Sequence, residues 1–145
     1  MAYSVDVVKA EALAREVHAG AVDKAGAAYI DHPSRVSARL TTPEEKVVGW
    51  LHDVVEDTTY TLIDIAHLFG PETADAVDAV THRKGESWSD YICRVKSNPI
   101  AKAVKISDLI DNSNLSRLPV VTSKDVRRAE KYIRTLFFLM DVDGE

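Results

Sequence analysis

Four ionisable residues, His52, Asp53, Glu56 and Asp57, fall within six positions of an otherwise apolar stretch that holds Val47, Val48, Trp50, Leu51, Val54 and Val55. Read as the C-terminal end of one helix, with about 100° between successive residues, all four address one side. Three carboxylates placed there repel one another and stand at the negative end of the helix dipole. A bound cation would answer both objections. Two residues elsewhere are suited to join it: His32, which opens a short helix after a loop, and Asp108, in the inward-looking run Val104, Lys105, Ile106, Ser107, Asp108. Together His32, His52, Asp53 and Asp108 offer two imidazoles and two carboxylates, a nitrogen and oxygen set suited to Mn²⁺, Fe²⁺ or Zn²⁺. A divalent ion can bring the pKa of coordinated water from ~15.7 toward ~7 in the best zinc cases.

Cleaving a phosphorus–oxygen bond then requires an oriented nucleophile, neutralised charge on the non-bridging oxygens and help for the leaving group. Glu56 reads as the general base or water-orienting group with Asp57 in support, two neighbouring carboxylates that titrate as a pair. Lys24, on the loop before His32, is a candidate for neutralising phosphate charge, and Arg83 and Lys84 are weaker ones. Tyr29 is close enough in sequence to His32 to line a pocket. Plainer readings stand beside these. His52 and Asp53 could be a core histidine paired with a helix-end acid, and His32 a helix cap. Asp108 could pair with Lys105 in an exposed link worth only ~0.2–0.5 kcal/mol. Lys24, Arg83 and Lys84 could be solvated charges, His18 a packed or hydrogen-bonding histidine, and Asp111 and Asn112 a helix end.

The order His32, then His52-Asp53, then Asp108 resembles the signature of HD-domain metal-dependent phosphohydrolases. Within them the chain is similar to the (p)ppGpp hydrolase domains of RelA/SpoT-type proteins and the small alarmone hydrolases. Four segments carry the likeness, between about Ala14 and Leu118: His18-Ala-Gly with Lys24 and Gly26 leading to Tyr29-Ile-Asp-His32-Pro33; Leu51-His52-Asp53-Val-Val-Glu56-Asp57-Thr58; Phe69-Gly70 through Val80-Thr81; and Val104 through Asn112. The resemblance implies an all-α HD-domain helical bundle in which His32, His52, Asp53 and Asp108 bind a divalent metal, most commonly Mn²⁺. It implies that Glu56 and Asp57 assist attack of water on the 3′-pyrophosphate of guanosine tetra- or pentaphosphate, and that Lys24 and Asn112 contact the nucleotide. The chain departs from the alarmone hydrolases at three positions. Asp23 stands where they usually carry arginine, Ala25 where a small polar residue is usual, and Leu115 where threonine is frequent. Two alternatives stay open: an HD phosphatase acting on another phosphorylated nucleotide, and a non-catalytic alarmone-binding module.

The elements that must position these groups read as helices throughout, because apolar residues recur at helical spacing and sustained alternation is hard to find. Helices are expected from Ser4 to about Ala19, His32 to Leu40, Pro43 to Glu56 or Asp57, Thr61 to Phe69, Glu72 to His82, Ser89 to Ser97, Pro99 to Ser113 and Ser123 to about Val142. The third is too apolar all round for a surface helix and belongs in the middle of the bundle. The last has an apolar face that could pack on the bundle or on a second subunit of a homo-oligomer.

Composition sets the outer limits. With 145 residues the chain is expected to form one domain. At that size it needs neither disulfide nor metal to fold. Its one cysteine, Cys93, fits a reducing compartment, so a cytoplasmic location is expected. Charged residues break up the N-terminal stretch, and the run Leu136 to Met140 falls far short of the ~20 residues of a membrane span. A net charge of −5 argues against polymeric nucleic acid as partner and leaves room for a local basic pocket holding a small phosphorylated nucleotide. A synthetase activity is not expected, since the hydrolase-like segments occupy most of the chain.

Overall fold

The computed structural model describes residues 5–141, and these form an all-α bundle. Its helices are α1 (Val5–Val17), α2 (Asp31–Ala38), α3 (Pro43–Leu51), α4 (Val54–Asp57), α5 (Leu62–Phe69), α6 (Pro71–Val80), α7 (Trp88–Lys96), α8 (Pro99–Asn112) and α9 (Ser123–Leu139), with a 3-10 turn at Leu115–Arg117. Local chemistry sets many of the starts. Thr42, Thr61 and Thr122 each cap a helix through a reciprocal box with Glu45, Asp64 and Asp125, which satisfies two orphan amides at once. Pro43, Pro71 and Pro99 occupy first turns, where a missing N–H costs nothing.

The expected helices are all present, with ends shifted by a few residues. Ser4 and Val142, proposed as outer limits of the first and last helices, lie outside the described residues. One expectation is corrected. The third helix does not run on to Glu56 or Asp57: it stops at Leu51, turns through His52 and Asp53, and resumes as the single turn α4. The physical reason lies in His52, whose Nδ1 donates to the Gly49 carbonyl at 2.7 Å. An unbroken helix would give that carbonyl to the amide of residue 53.

Helix α3 lies at the centre, packed against α1, α2, α6 and α8. Val47, Val48, Trp50 and Leu51 on it are all buried, as its apolar circumference requires. Its approach to α2 is close because residue 49 is glycine: a Cβ there would lie 2.9 Å from Leu40 Cδ1 and 3.0 Å from Ser37 Cα. The last helix, α9, packs on α8 and α7. It leaves Phe137 and Phe138 about half exposed.

Candidate active site

Three structural junctions converge. His32 sits in the first turn of α2, His52 and Asp53 form the break between α3 and α4, and Asp108 faces inward from α8. His32 Nε2 lies 2.9 Å from Asp108 Oδ1, 3.3 Å from His52 Nε2 and 4.0 Å from Asp53 Oδ2. His52 Nε2 lies 3.2 Å from Asp53 Oδ2 and 3.4 Å from Asp108 Oδ1. Ligands about 2.1 Å from a common ion stand roughly 3–4 Å from one another, and donor atoms of His32, His52 and Asp53 lie close enough together to share a cation, with Asp108 against both imidazoles.

The donor set itself tests that fit. A carbonyl only accepts, so His52 Nδ1 carries a proton toward Gly49 and leaves Nε2 to present its lone pair. His32 Nδ1 likewise donates to Asp111 Oδ2 at 2.7 Å. Both imidazoles are thus held with Nε2 turned inward, the arrangement of metal-binding histidines braced from behind. Burial opposes charge on His32, but its bonds to Asp108 and Asp111 outweigh this and raise its pKa to about 9. Asp53 is pushed the other way: burial, then the nearby charges of Asp108, Asp57 and Glu56, lift its carboxyl well above the usual range. Asp108 has to overcome burial as well, and Lys105, His32 and His52 hold it well below that range. One carboxyl that resists ionisation beside another that is anchored is what a cation between them would relieve.

Behind His32 stands a residue expected only to end a helix. Asp111 is fully buried and accepts from Arg35 Nε at 2.7 Å and Arg39 Nη2 at 3.2 Å, while Arg117 Nη2 donates to its backbone carbonyl at 3.0 Å. Burial would raise its pKa, but His32 and Arg35 hold it far below normal. The spacing could have revealed it: Asp108 and Asp111 are three apart on one helix face, as are His32 and Arg35.

The remaining candidates divide. Tyr29 donates its hydroxyl to Asp53 Oδ2. Asn112 Nδ2 donates to Asp108 Oδ1 at 3.1 Å. Lys24 is on the rim of a cavity of about 390 Å³ that also meets Tyr29, Asn112, Arg35, Arg117 and Arg128. Those three arginines are not among the candidates that the sequence motifs mark. Glu56 faces a second cavity, of about 170 Å³, shared with His52, Asp53 and Asp108, and its Oε1 accepts from the His82 amide at 3.0 Å. Asp57 lines neither cavity, although it shares the turn α4 with Glu56. Its charge still acts on Asp53 and His18. Arg83 pairs with Asp78 at 2.9 Å on the exposed surface, and neither it nor Lys84 borders these cavities. His18 is buried with its ring 4.9 Å from that of Tyr29, and its Nε2 has no hydrogen-bond partner among the described residues.

Lys105 is not the exposed partner considered for Asp108. It is buried, with Nζ 2.9 Å from Asp108 Oδ2 and lying over the rings of Trp88 and Tyr91. Burial would strip its proton, but Asp108 more than compensates and its pKa stands above the ordinary value.

The loop before His32 is a tight hairpin with an isolated bridge between Val22 and Ala28. Asp23 Oδ1 accepts from the Ala25 and Ala27 amides at 2.9 and 3.0 Å, and Gly26 supplies the required positive φ of 85°. Asp23 is therefore committed to shaping the loop that carries Lys24.

The chain has the all-α fold of an HD-type helical domain and is similar in sequence to RelA/SpoT-type proteins, on the following comparisons. A Synechocystis protein named probable guanosine-3′,5′-bis(diphosphate) 3′-pyrophosphohydrolase is 40% identical over 146 residues, which cover 90% of this chain and 19% of its own length. A Mycobacterium leprae protein named probable GTP pyrophosphokinase is 29% identical over 143 residues, covering 90% of this chain and 18% of the relative. This chain thus spans less than a fifth of the length of these relatives. The solved structure described as a metazoan ortholog of SpoT that hydrolyses ppGpp superposes with a TM-score of 0.79 at 23% identity, covering 98% of this chain and 89% of that one, and shows the shared fold. No protein-family model matches the chain. No helix among the described residues is long and apolar enough to cross a membrane.

Proposed function

We propose that the chain is a metal-dependent (p)ppGpp 3′-pyrophosphohydrolase. One observation carries this reading: donor atoms of His32, His52 and Asp53 lie within 4.8 Å of one another, Asp108 meets both imidazoles, and cavities lined by Lys24 and three arginines and by Glu56 adjoin them. In this reading those four hold a divalent cation, Mn²⁺ being the family's usual ion, which when bound supplies an acidified water and a counter-charge for phosphoryl oxygens. The names of the relatives support the substrate.

The chain's own residues divide the remaining work. Lys24, Arg35, Arg117 and Arg128 border the larger cavity and attract the phosphates of the nucleotide. Tyr29 and Asn112 each fix one inward-facing carboxylate while bordering that cavity, so they couple ligand position to substrate. Glu56 is steadied through Oε1 by the His82 amide, which leaves Oε2 to take a proton from the attacking water. Asp57 assists through its charge. Water forms a new bond to the 3′-linked phosphorus, the bond from that phosphorus to the 3′-oxygen breaks, and the 3′-oxygen regains a proton. The products are pyrophosphate and guanosine 5′-diphosphate from the tetraphosphate, or the 5′-triphosphate from the pentaphosphate. A cytoplasmic location accords with the lone Cys93.

Asp23 favours a second reading. With its carboxylate committed to the hairpin, no guanidinium stands at that position to pack on guanine, which suits an HD phosphatase for a different phosphorylated nucleotide. A Mn²⁺-supplemented assay over a panel of nucleotides, with Asp53→Ala alongside, separates the two. Pyrophosphate released from ppGpp by the wild type alone is expected. Orthophosphate from another nucleotide with ppGpp untouched establishes the second reading, and binding of ppGpp without turnover establishes a non-catalytic module.

A further inference from the structure

We propose that the smaller cavity is a pyrophosphate site and that Lys105 is its anchoring cation, an inference that rests on the hydrolase reading above. Lys105 is 9% exposed, and burying an ammonium costs several kcal/mol unless its donors are used. An ammonium has three N–H donors. Asp108 Oδ2 takes one at 2.9 Å, and the rings of Trp88 and Tyr91, the latter held by its hydroxyl donating to the Val80 carbonyl at 2.6 Å, face another. The third is left for the cavity that Lys105 lines together with Glu56 and three of the four convergent residues. His82, on the same wall, is already used: its amide serves Glu56 and its Nε2 donates to the Glu86 carbonyl at 2.7 Å.

Size and charge select the occupant. At ~30 Å³ per water, a volume of 170 Å³ has room for about five waters, enough for a small anion and too little for a nucleoside. Asp53 borders both this cavity and the larger one. A nucleotide in the larger cavity could therefore extend its 3′-diphosphate past the convergent residues toward Lys105. The carboxylates of Asp53, Glu56 and Asp108 would repel an anion on their own, so the site depends on Lys105 together with the cation that those residues hold. Arg83 and Lys84 lie outside it.

The experiment titrates inorganic pyrophosphate into Mn²⁺-loaded protein by calorimetry, with bound metal measured on the same samples, for the wild type, Lys105→Gln and Lys105→Arg. Loss of one charge-assisted contact should weaken pyrophosphate binding about tenfold or more in Lys105→Gln at unchanged metal content, with Lys105→Arg recovering most of it. Wild type that does not bind pyrophosphate, unchanged affinity in Lys105→Gln, or affinity that falls only as metal is lost would each overturn the proposal. Should the variants fail to fold, wild-type crystals soaked in Mn²⁺ and pyrophosphate decide it. Density against Lys105 Nζ supports the site, and density confined to Lys24, Arg35, Arg117 and Arg128 refutes it. Turnover of ppGpp by the wild type is scored separately, so Lys105-dependent pyrophosphate binding without turnover would sink the substrate reading alone.

Discussion

His32 Nδ1 donates to Asp111 Oδ2 at 2.7 Å, joining the first turn of α2 to α8 across 79 residues of sequence. Asp108, one turn earlier on α8, meets the other ring nitrogen at 2.9 Å. One helix face thus grips both edges of a single imidazole. Asp111→Asn should weaken Mn²⁺ binding by roughly 10- to 100-fold, the usual effect of losing the residue behind a ligating histidine. Calorimetric titration of Mn²⁺ checks this, and unchanged affinity would show that Asp111 serves only to pair Arg35, Arg39 and Arg117.

Asp53 resists ionisation because it is buried among Asp108, Asp57 and Glu56. Asp53→Asn removes that repulsion while keeping an acceptor for the Tyr29 hydroxyl. The metal-free protein should melt at a higher temperature than the wild type. Mn²⁺ should then add nothing to the variant, whereas at 100 times its Kd it should add about 2.7 kcal/mol to the wild type. Thermal melts with and without metal test both halves.

Gly49→Ala brings a Cβ to 2.9 Å from Leu40 Cδ1 and 3.0 Å from the Ser37 backbone. Overpacking of this kind costs about 1–3 kcal/mol, against a helix-propensity gain of about 1 kcal/mol. Because the contact separates α2, which carries His32, from α3, which ends just before His52, the variant should lose metal affinity as well as stability. Urea unfolding and Mn²⁺ titration of the same preparation report the two effects.

Glu86 holds the loop that presents the His82 amide to Glu56. Its carboxylate accepts from Arg94 Nη2 at 2.8 Å and Nε at 2.9 Å, and these bonds lower its pKa from 4.5 to about 2. A carboxyl depressed in the folded state stabilises it fully above the unfolded value and loses that contribution as pH falls through the folded one. Between pH 4.5 and 2 the wild type should therefore lose stability more steeply than Glu86→Gln, and the two curves should converge below that range. Urea midpoints taken across this range measure the difference.

The sequence by itself determined that the chain is helical, where most helices start, and that His32, His52, Asp53 and Asp108 are the candidates for one site. Capping threonines and first-turn prolines act locally, and the apolar circumference of residues 47–55 required burial wherever the chain went. His52 and Asp53 were legible because charge on such an apolar element needs a compensating partner. Only the tertiary structure decided what surrounds them. The break after Leu51 follows from an imidazole reaching the Gly49 carbonyl, a competition that helical periodicity does not register. The burial of Lys105 and of Asp111 depends on Trp88, Tyr91, Arg35 and Arg39 arriving from other helices. A charged side chain reads as solvated until the elements packed over it are known, because the desolvation that gives it a role belongs to the assembled fold and not to its neighbours in sequence.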